Sequence, residues 1–232
     1  MNRGRISILF TYIVIFLCGI VAVLGTSRVI TVISEGLPID DRRCIIIDAG
    51  HGGMDGGAIS CTGKSESGIN LEIALRLEDL FHLLGYQTKM IRREDISVYT
   101  KGETIAQKKV SDLKERVRIC NETQNGILVS IHQNQFTDSR YSGAQVFYGK
   151  DEDSKKLAHQ VQSAFQMMDP NNKRENKKAN GVYLMEHIQC PGILVECGFL
   201  SNPVEEAKLR TATYQQQICC TIVASVSNFL DG

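Results

Sequence analysis

Four residues of this 232-residue chain carry side chains suited to holding a metal ion and moving a proton: His51, Glu66, His132 and Glu196. His51 follows an apolar run, Cys44–Ile47, that Asp48, Ala49 and Gly50 cut short, and further glycines (Gly52, Gly53, Gly56, Gly57) crowd the turn behind it. Apolar β-branched residues ending in glycines read as a buried strand entering a tight loop. His132 follows a second such run, Ile127–Ile131, and Glu196 a third, Gly192–Val195. Strands of one sheet bring their carboxyl ends together even when far apart in sequence, and ligands of open α/β sheets bind there. Glu66 lies fifteen residues after His51, just ahead of a helix.

Two neutral imidazoles and one carboxylate make a three-ligand zinc set with a position left for water. A further carboxylate nearby supplies a base that becomes an acid. Histidines at strand ends also serve as hydrogen-bonded structural groups, and the residues alone leave both readings open. HExxH and CxxC are absent, so neither the helical zinc-peptidase pattern nor a cysteine zinc knuckle applies.

The elements that position these residues follow from periodicity. Ile69, Ile73, Leu77, Leu80 and Leu84 predict an amphipathic helix closed by Gly85. Tyr86–Arg92 predicts a strand and Arg93–Glu103 a polar loop. Ala106, Val110, Leu113, Val117 and Cys120 then mark the apolar face of a second helix, its charges opposite and solvated. Strands are expected at Gly143–Tyr148 and Val182–Met185, helices at Ser154–Met168, after Pro203 and at Tyr214–Leu230. Asp169–Asn180 reads as a basic, solvated loop. Strands alternating with helices predict an α/β fold, a single domain with a parallel or mixed sheet covered on both faces.

The balance of 26 basic and 26 acidic residues gives no basic stripe for nucleic acid. Met1–Arg5 is short and basic, and Ile6–Ser27 carries no charge. As a helix, Ile6–Leu24 would span about 28 Å, close to the roughly 30 Å hydrocarbon core. Residues 1–27 are therefore expected to be a signal anchor or a cleaved signal peptide, 28–43 a linker, and 44–232 the catalytic domain, working outside the cytoplasmic membrane. The eight cysteines show no spacing that suggests a disulfide framework, and most are expected to be small buried hydrophobes.

IIIDAGHGGMDGGA, the ESGINL run at Glu66, LVSIHQN and ILVECGFLSNPVEE resemble, in this order, the zinc-dependent N-acetylmuramoyl-L-alanine amidases of bacterial cell walls, amidase-3 type. The resemblance covers about Cys44 to Leu230. It implies a six-stranded α/β/α sandwich, with one zinc ion on His51, Glu66 and His132 and Glu196 as catalytic glutamate. The implied reaction breaks the amide between the lactyl group of N-acetylmuramic acid and L-alanine of the stem peptide. Asp48 is a candidate to orient His51 or cap its loop. Asn134 is a candidate to contact substrate or, preferably, to hold the loop after His132. Ser67 and Gly68 stand where the family has a lysine and an acid, which implies a more flexible helix entrance. Gln133 replaces a small residue and is expected to narrow substrate choice or touch the glycan.

Within the family, one catalytic domain behind a membrane segment is most similar to the germination-specific amidases of spore formers. That subgroup implies action on spore cortex in the intermembrane space of the developing spore, ahead of muramic-δ-lactam formation. It leaves room for an accessory protein to localise the enzyme. The residues also admit a zinc peptidase acting within the stem peptide, or a catalytically silent wall-binding module.

Overall fold

Runs of β-branched residues build the sheet because such side chains pack well on a pleated, buried surface. A computed structural model of the chain describes residues 43–231. The expected membrane segment at 1–27 and the linker, apart from Arg43, lie outside the described residues. Among the described residues no helix is long and apolar enough to cross a membrane.

The strands are β1 (Cys44–Ala49), β2 (Gln87–Met90), β3 (Gly126–Asn134), β4 (Gln145–Tyr148), β5 (Lys177–Lys178) and β6 (Gly192–Phe199). They form a six-stranded sheet in the order β2-β1-β3-β6-β4-β5. All neighbours are parallel except β4 and β6, so the sheet is mixed. The helices are α1 (Glu66–Leu83), α2 (Ile105–Glu122), α3 (Glu152–Met168), α4 (Tyr183–His187), α5 (Pro203–Leu209) and α6 (Ala212–Asp231).

Strand alternation divides the core into two layers. Ile45, Ile47, Val129, Ile131, Ile193 and Val195 pack with Ile73, Leu77 and Phe81 of α1, Leu157 and Val161 of α3, and Ile218 and Ile222 of α6. The alternate residues Ile46, Leu128 and Leu194 pack with Cys120 of α2 and with Leu184 and Met185 of α4. This is the expected α/β/α sandwich. Cap chemistry sets the helix limits: Thr104 and Gln107 form a capping box at α2, and Asn202 accepts from Val204 and Glu205 N–H ahead of α5. At the end of α1 the Tyr86 N–H reaches back to the Phe81 carbonyl around Gly85, whose φ is 82°.

Three expectations are corrected. Val182–Met185 is no strand; Tyr183–Met185 form most of α4, with Val182 as its N-cap. The sixth strand is instead β5, inside the segment expected to be a loop, where Lys177 and Lys178 pair with Phe147 and Tyr148. A short apolar run has no periodicity that separates helix from strand, and β5 is held by backbone pairing that side-chain type does not announce. Of the seven described cysteines, all free, Cys61 and Cys220 are exposed.

The third correction concerns α2. Val110 and Leu113 are exposed, while the buried residues are Ser111, Arg116 and Cys120. The helix is turned toward the sheet by a charge. Arg116 is 2% exposed; it ion-pairs with Asp48 and Asp112 and donates to the carbonyls of Ala49 and His51. Asp48 also accepts from the Ser130 hydroxyl at 2.7 Å, across the parallel register of β1 and β3. The Arg116 guanidinium and Ser130 keep the Asp48 carboxyl below its usual range, against the effect of burial.

Removing one partner of such a pair strands a buried charge. Arg116→Ala should therefore lower the unfolding free energy by about 3–5 kcal/mol, whereas the double change Asp48→Leu, Arg116→Met should cost less than the single one. Urea unfolding of the three proteins measures this, and a loss below about 1 kcal/mol for Arg116→Ala would show that the pair bears little of the fold.

Candidate metal centre and active site

β1 carries the chain to Gly50 and His51, and the backbone then turns through left-handed values, with φ of 62° at His51. Arg116 holds the His51 carbonyl at 2.6 Å in this conformation. Glu66 opens α1, its N–H bonded to the Ala58 carbonyl at the far end of the same loop. His132 lies near the end of β3, and its parallel partner on β6 is Glu196. Two strand ends, a glycine loop and a helix start thus meet at the carboxyl edge of the sheet.

His51, Glu66 and His132 each offer one donor atom, and these atoms lie within 4.8 Å of one another, a group that could hold a metal ion. Glu66 Oε2 is 3.3 Å from His51 Nε2, and Glu66 Oε1 is 3.1 Å from His132 Nδ1. The carboxylate is otherwise fully engaged: Oε2 accepts from Ala58 N–H, and Oε1 from Asn70 Nδ2 and Gln133 N–H. These contacts, led by the two histidines, hold the Glu66 carboxyl far below its ordinary range despite its burial. Two glycines allow the crowding. A Cβ on Gly50 would sit 2.2 Å from His132 Nε2, and one on Gly57 would sit 2.5 Å from Glu66 Oε2 and 2.7 Å from the His51 ring. Gly57 is therefore more than a turn residue.

Glu196, the register partner of His132 on β6, is the second carboxyl at this edge. Its Oε2 is buried and has no hydrogen-bond partner among the described residues. Burial, opposed by the nearby His132 and reinforced by Glu66, pushes its carboxyl up to about 7. A carboxyl with that pKa can both accept and return a proton near neutral pH. Burial would depress His51, but Glu66 and Asp55 outweigh it and raise the imidazole to about 9.

The remaining expected residues fall differently. Asp48 does not meet the His51 ring; its oxygens are taken by Arg116 and Ser130, and it reaches His51 only through the Arg116 bond to the backbone carbonyl. The side chain at His51 Nδ1 is Asp55, at 3.0 Å. Asn134 lies where the β3–β6 register shifts, and its carbonyl accepts from Leu200 N–H at 2.8 Å, a structural placement. Gln133 is 3% exposed and turned toward Asn70, so it supports the Glu66 network and does not line the opening. Nor is the α1 entrance loose: Ser65 Oγ donates to the Gly56 carbonyl, and Ser67 N–H donates to that same carbonyl. No motif or spacing in the sequence singles out Asp55 or Arg116. The only signal for Arg116 was a charge at helical spacing from Asp112, which reads equally as solvated surface.

A mixed sheet covered by helices on both faces, with a His–Glu–His group that could hold a metal and a buried carboxyl of raised pKa at its carboxyl edge, is an arrangement suited to a hydrolase. The family model described as N-acetylmuramoyl-L-alanine amidase matches residues 45–228. The chain belongs to this family and is an enzyme, an amidase. It is similar to the germination-specific N-acetylmuramoyl-L-alanine amidase of Bacillus subtilis, 35% identical over 196 residues that cover 83% of this chain and 81% of the relative. Among solved structures it resembles the CwlD amidase from Clostridioides difficile in complex with the GerS lipoprotein, with 39% identity and a TM-score of 0.78 over 81% of this chain and 98% of that one. It also resembles an N-acetylmuramoyl-L-alanine amidase from Clostridium difficile 630, with 31% identity and a TM-score of 0.72 over 83% and 99%.

Metal uptake at this group must displace a proton, because the metal-free His51 holds one up to about pH 9. Binding of a divalent ion should therefore tighten as pH rises from about 6 to about 8, with release of about one proton. Calorimetry in buffers of different ionisation enthalpy reads the proton count. Affinity that does not change over this range would show that the ring is already neutral.

Proposed function

We propose that the protein holds one zinc ion on His51, Glu66 and His132. With it, the protein hydrolyses the amide between the lactyl group of N-acetylmuramic acid and L-alanine of peptidoglycan stem peptides. The observation that carries this reading is the convergence of the three donor atoms within 4.8 Å, close to the unpartnered carboxyl oxygen of Glu196, in a chain of this family. A nitrogen–oxygen–nitrogen set suits zinc, and when bound the ion supplies Lewis acidity and a more acidic water. Glu196 Oε2 accepts the proton of the attacking water and returns it to the departing nitrogen of L-alanine. Glu66, saturated with hydrogen bonds, stays ionised throughout and keeps both imidazoles turned inward.

The cortex of the developing spore is the proposed setting, with stem-peptide removal preceding muramic-δ-lactam formation by another enzyme. The similarity to a germination-specific amidase supports it. The N-terminal segment 1–27 would place the domain outside the cytoplasmic membrane, anchored or released, in the intermembrane space of the developing spore. The CwlD structure contains a lipoprotein, and we infer a comparable accessory partner for this chain.

Glu196→Gln should keep zinc stoichiometry and lose amidase turnover by about two to four orders of magnitude; undiminished turnover would remove Glu196 from the reaction. Mass spectrometry of products from purified cortex and vegetative wall should show intact stem peptides freed from the sugar. Peptide fragments would instead identify a peptidase, and no product from zinc-loaded protein a silent binding module.

A further inference from the structure

His51 is the most weakly supported of the three donor residues. It sits in a glycine loop, its side chain is 26% exposed, and its backbone has a left-handed φ. Glu66 and His132 are better enclosed, with side chains 4% and 19% exposed. What holds the His51 ring from outside is Asp55 Oδ2, 3.0 Å from Nδ1. Asp55 is itself secured twice. Its backbone exchanges two hydrogen bonds with Gly52, at 2.8 and 3.2 Å, and its Oδ1 pairs with Lys109 Nζ at 2.8 Å. Lys109 lies on α2 at spacings of three and seven from Asp112 and Arg116. One helix face therefore reaches the loop at two levels, the backbone carbonyl of His51 through Arg116 and its ring through Lys109 and Asp55.

We propose that Asp55 and Lys109 are positioning residues that fix the ring orientation and tautomer of His51, leaving Nε2 as its metal-binding atom. A neutral imidazole carries one N–H. When Nδ1–H is given to Asp55, the lone pair resides on Nε2, the nitrogen that faces Glu66 at 3.3 Å. Carboxylates placed behind a ligating histidine raise its basicity and lock its orientation, and their loss typically costs 10–100-fold in metal affinity. Lys109 adds no contact to the ring; it stops the half-buried Asp55 carboxylate from swinging away. The inference rests on the reading of His51, Glu66 and His132 as a zinc site.

The experiment is zinc affinity by chelator competition on the full chain, with unfolding temperatures of the metal-free proteins alongside. Asp55→Ala should weaken zinc about 10–100-fold. Asp55→Asn, which keeps an acceptor oxygen for Nδ1–H, should recover most of that loss. Lys109→Met should weaken zinc several-fold and Lys109→Arg restore it, with metal-free unfolding temperatures close to the parent's. Parent-like zinc affinity in Asp55→Ala overturns the proposal, and so does an Asn variant as impaired as Ala, which would mark a merely structural role. A parent protein that takes up no zinc refutes the metal site itself, and the clamp with it.

Discussion

A buried guanidinium governs this molecule. Arg116 crosses from α2 to the carboxyl end of β1, pairs with Asp48, and takes the carbonyls of Ala49 and His51 as the strand gives way to the loop. These carbonyls stand where β1 ends and the loop begins, and buried or half-buried carbonyls need partners. An arginine suits the task because its fork of donors can serve a carboxylate and two carbonyls at once. The same contact rotates α2, so that Val110 and Leu113 face outward and Arg116 faces in. Burial of a charge here overrides the apolar periodicity of a helix.

From that anchor the site assembles with little freedom. Arg92, also buried, donates to the carbonyls of Ala49, Gly50 and Ser67, joining the strand end to the first turn of α1. Asn70, one turn into α1, donates both to the Gly50 carbonyl and to Glu66. The loop, the helix start and β3 are therefore cross-linked by polar groups, with the Glu66 carboxylate bonded at both oxygens. The vacancy that matters chemically is at Glu196, where burial raises the carboxyl's pKa and Oε2 has no hydrogen-bond partner among the described residues. Full hydrogen bonding at the Glu66 carboxylate, and burial of Glu196 Oε2 without it, set two carboxyl groups apart, one held ionised and one able to exchange a proton.

Much of the architecture was legible in the residues. β1, β3 and β6 are nearly continuous apolar runs, as strands buried on both faces must be, and α1 and α3 follow a clean helical period. Strand ends marked by His51, His132 and Glu196 pointed to one edge of the sheet, since any parallel arrangement of those strands brings their ends together. The readings that failed share a cause. α4, β5 and the face of α2 depend on contacts with distant chain segments, which short-range periodicity does not encode. Gln133, beside His132 in sequence, points to the opposite side of the strand, as alternation requires.

What the sequence by itself determined is the inventory and its neighbourhoods: which residues can bind or titrate, and that they terminate buried strands or begin a helix. The tertiary structure decided the pairings. Asp48 and Asp55 lie on either side of His51 and could both have supported its ring; only the fold assigns Asp48 to Arg116 and Asp55 to the imidazole. The reason is directional. Asp48 still belongs to β1, where the pleat sends its side chain toward α2, whereas the left-handed turn at His51 brings the chain back to place Asp55 beside the ring.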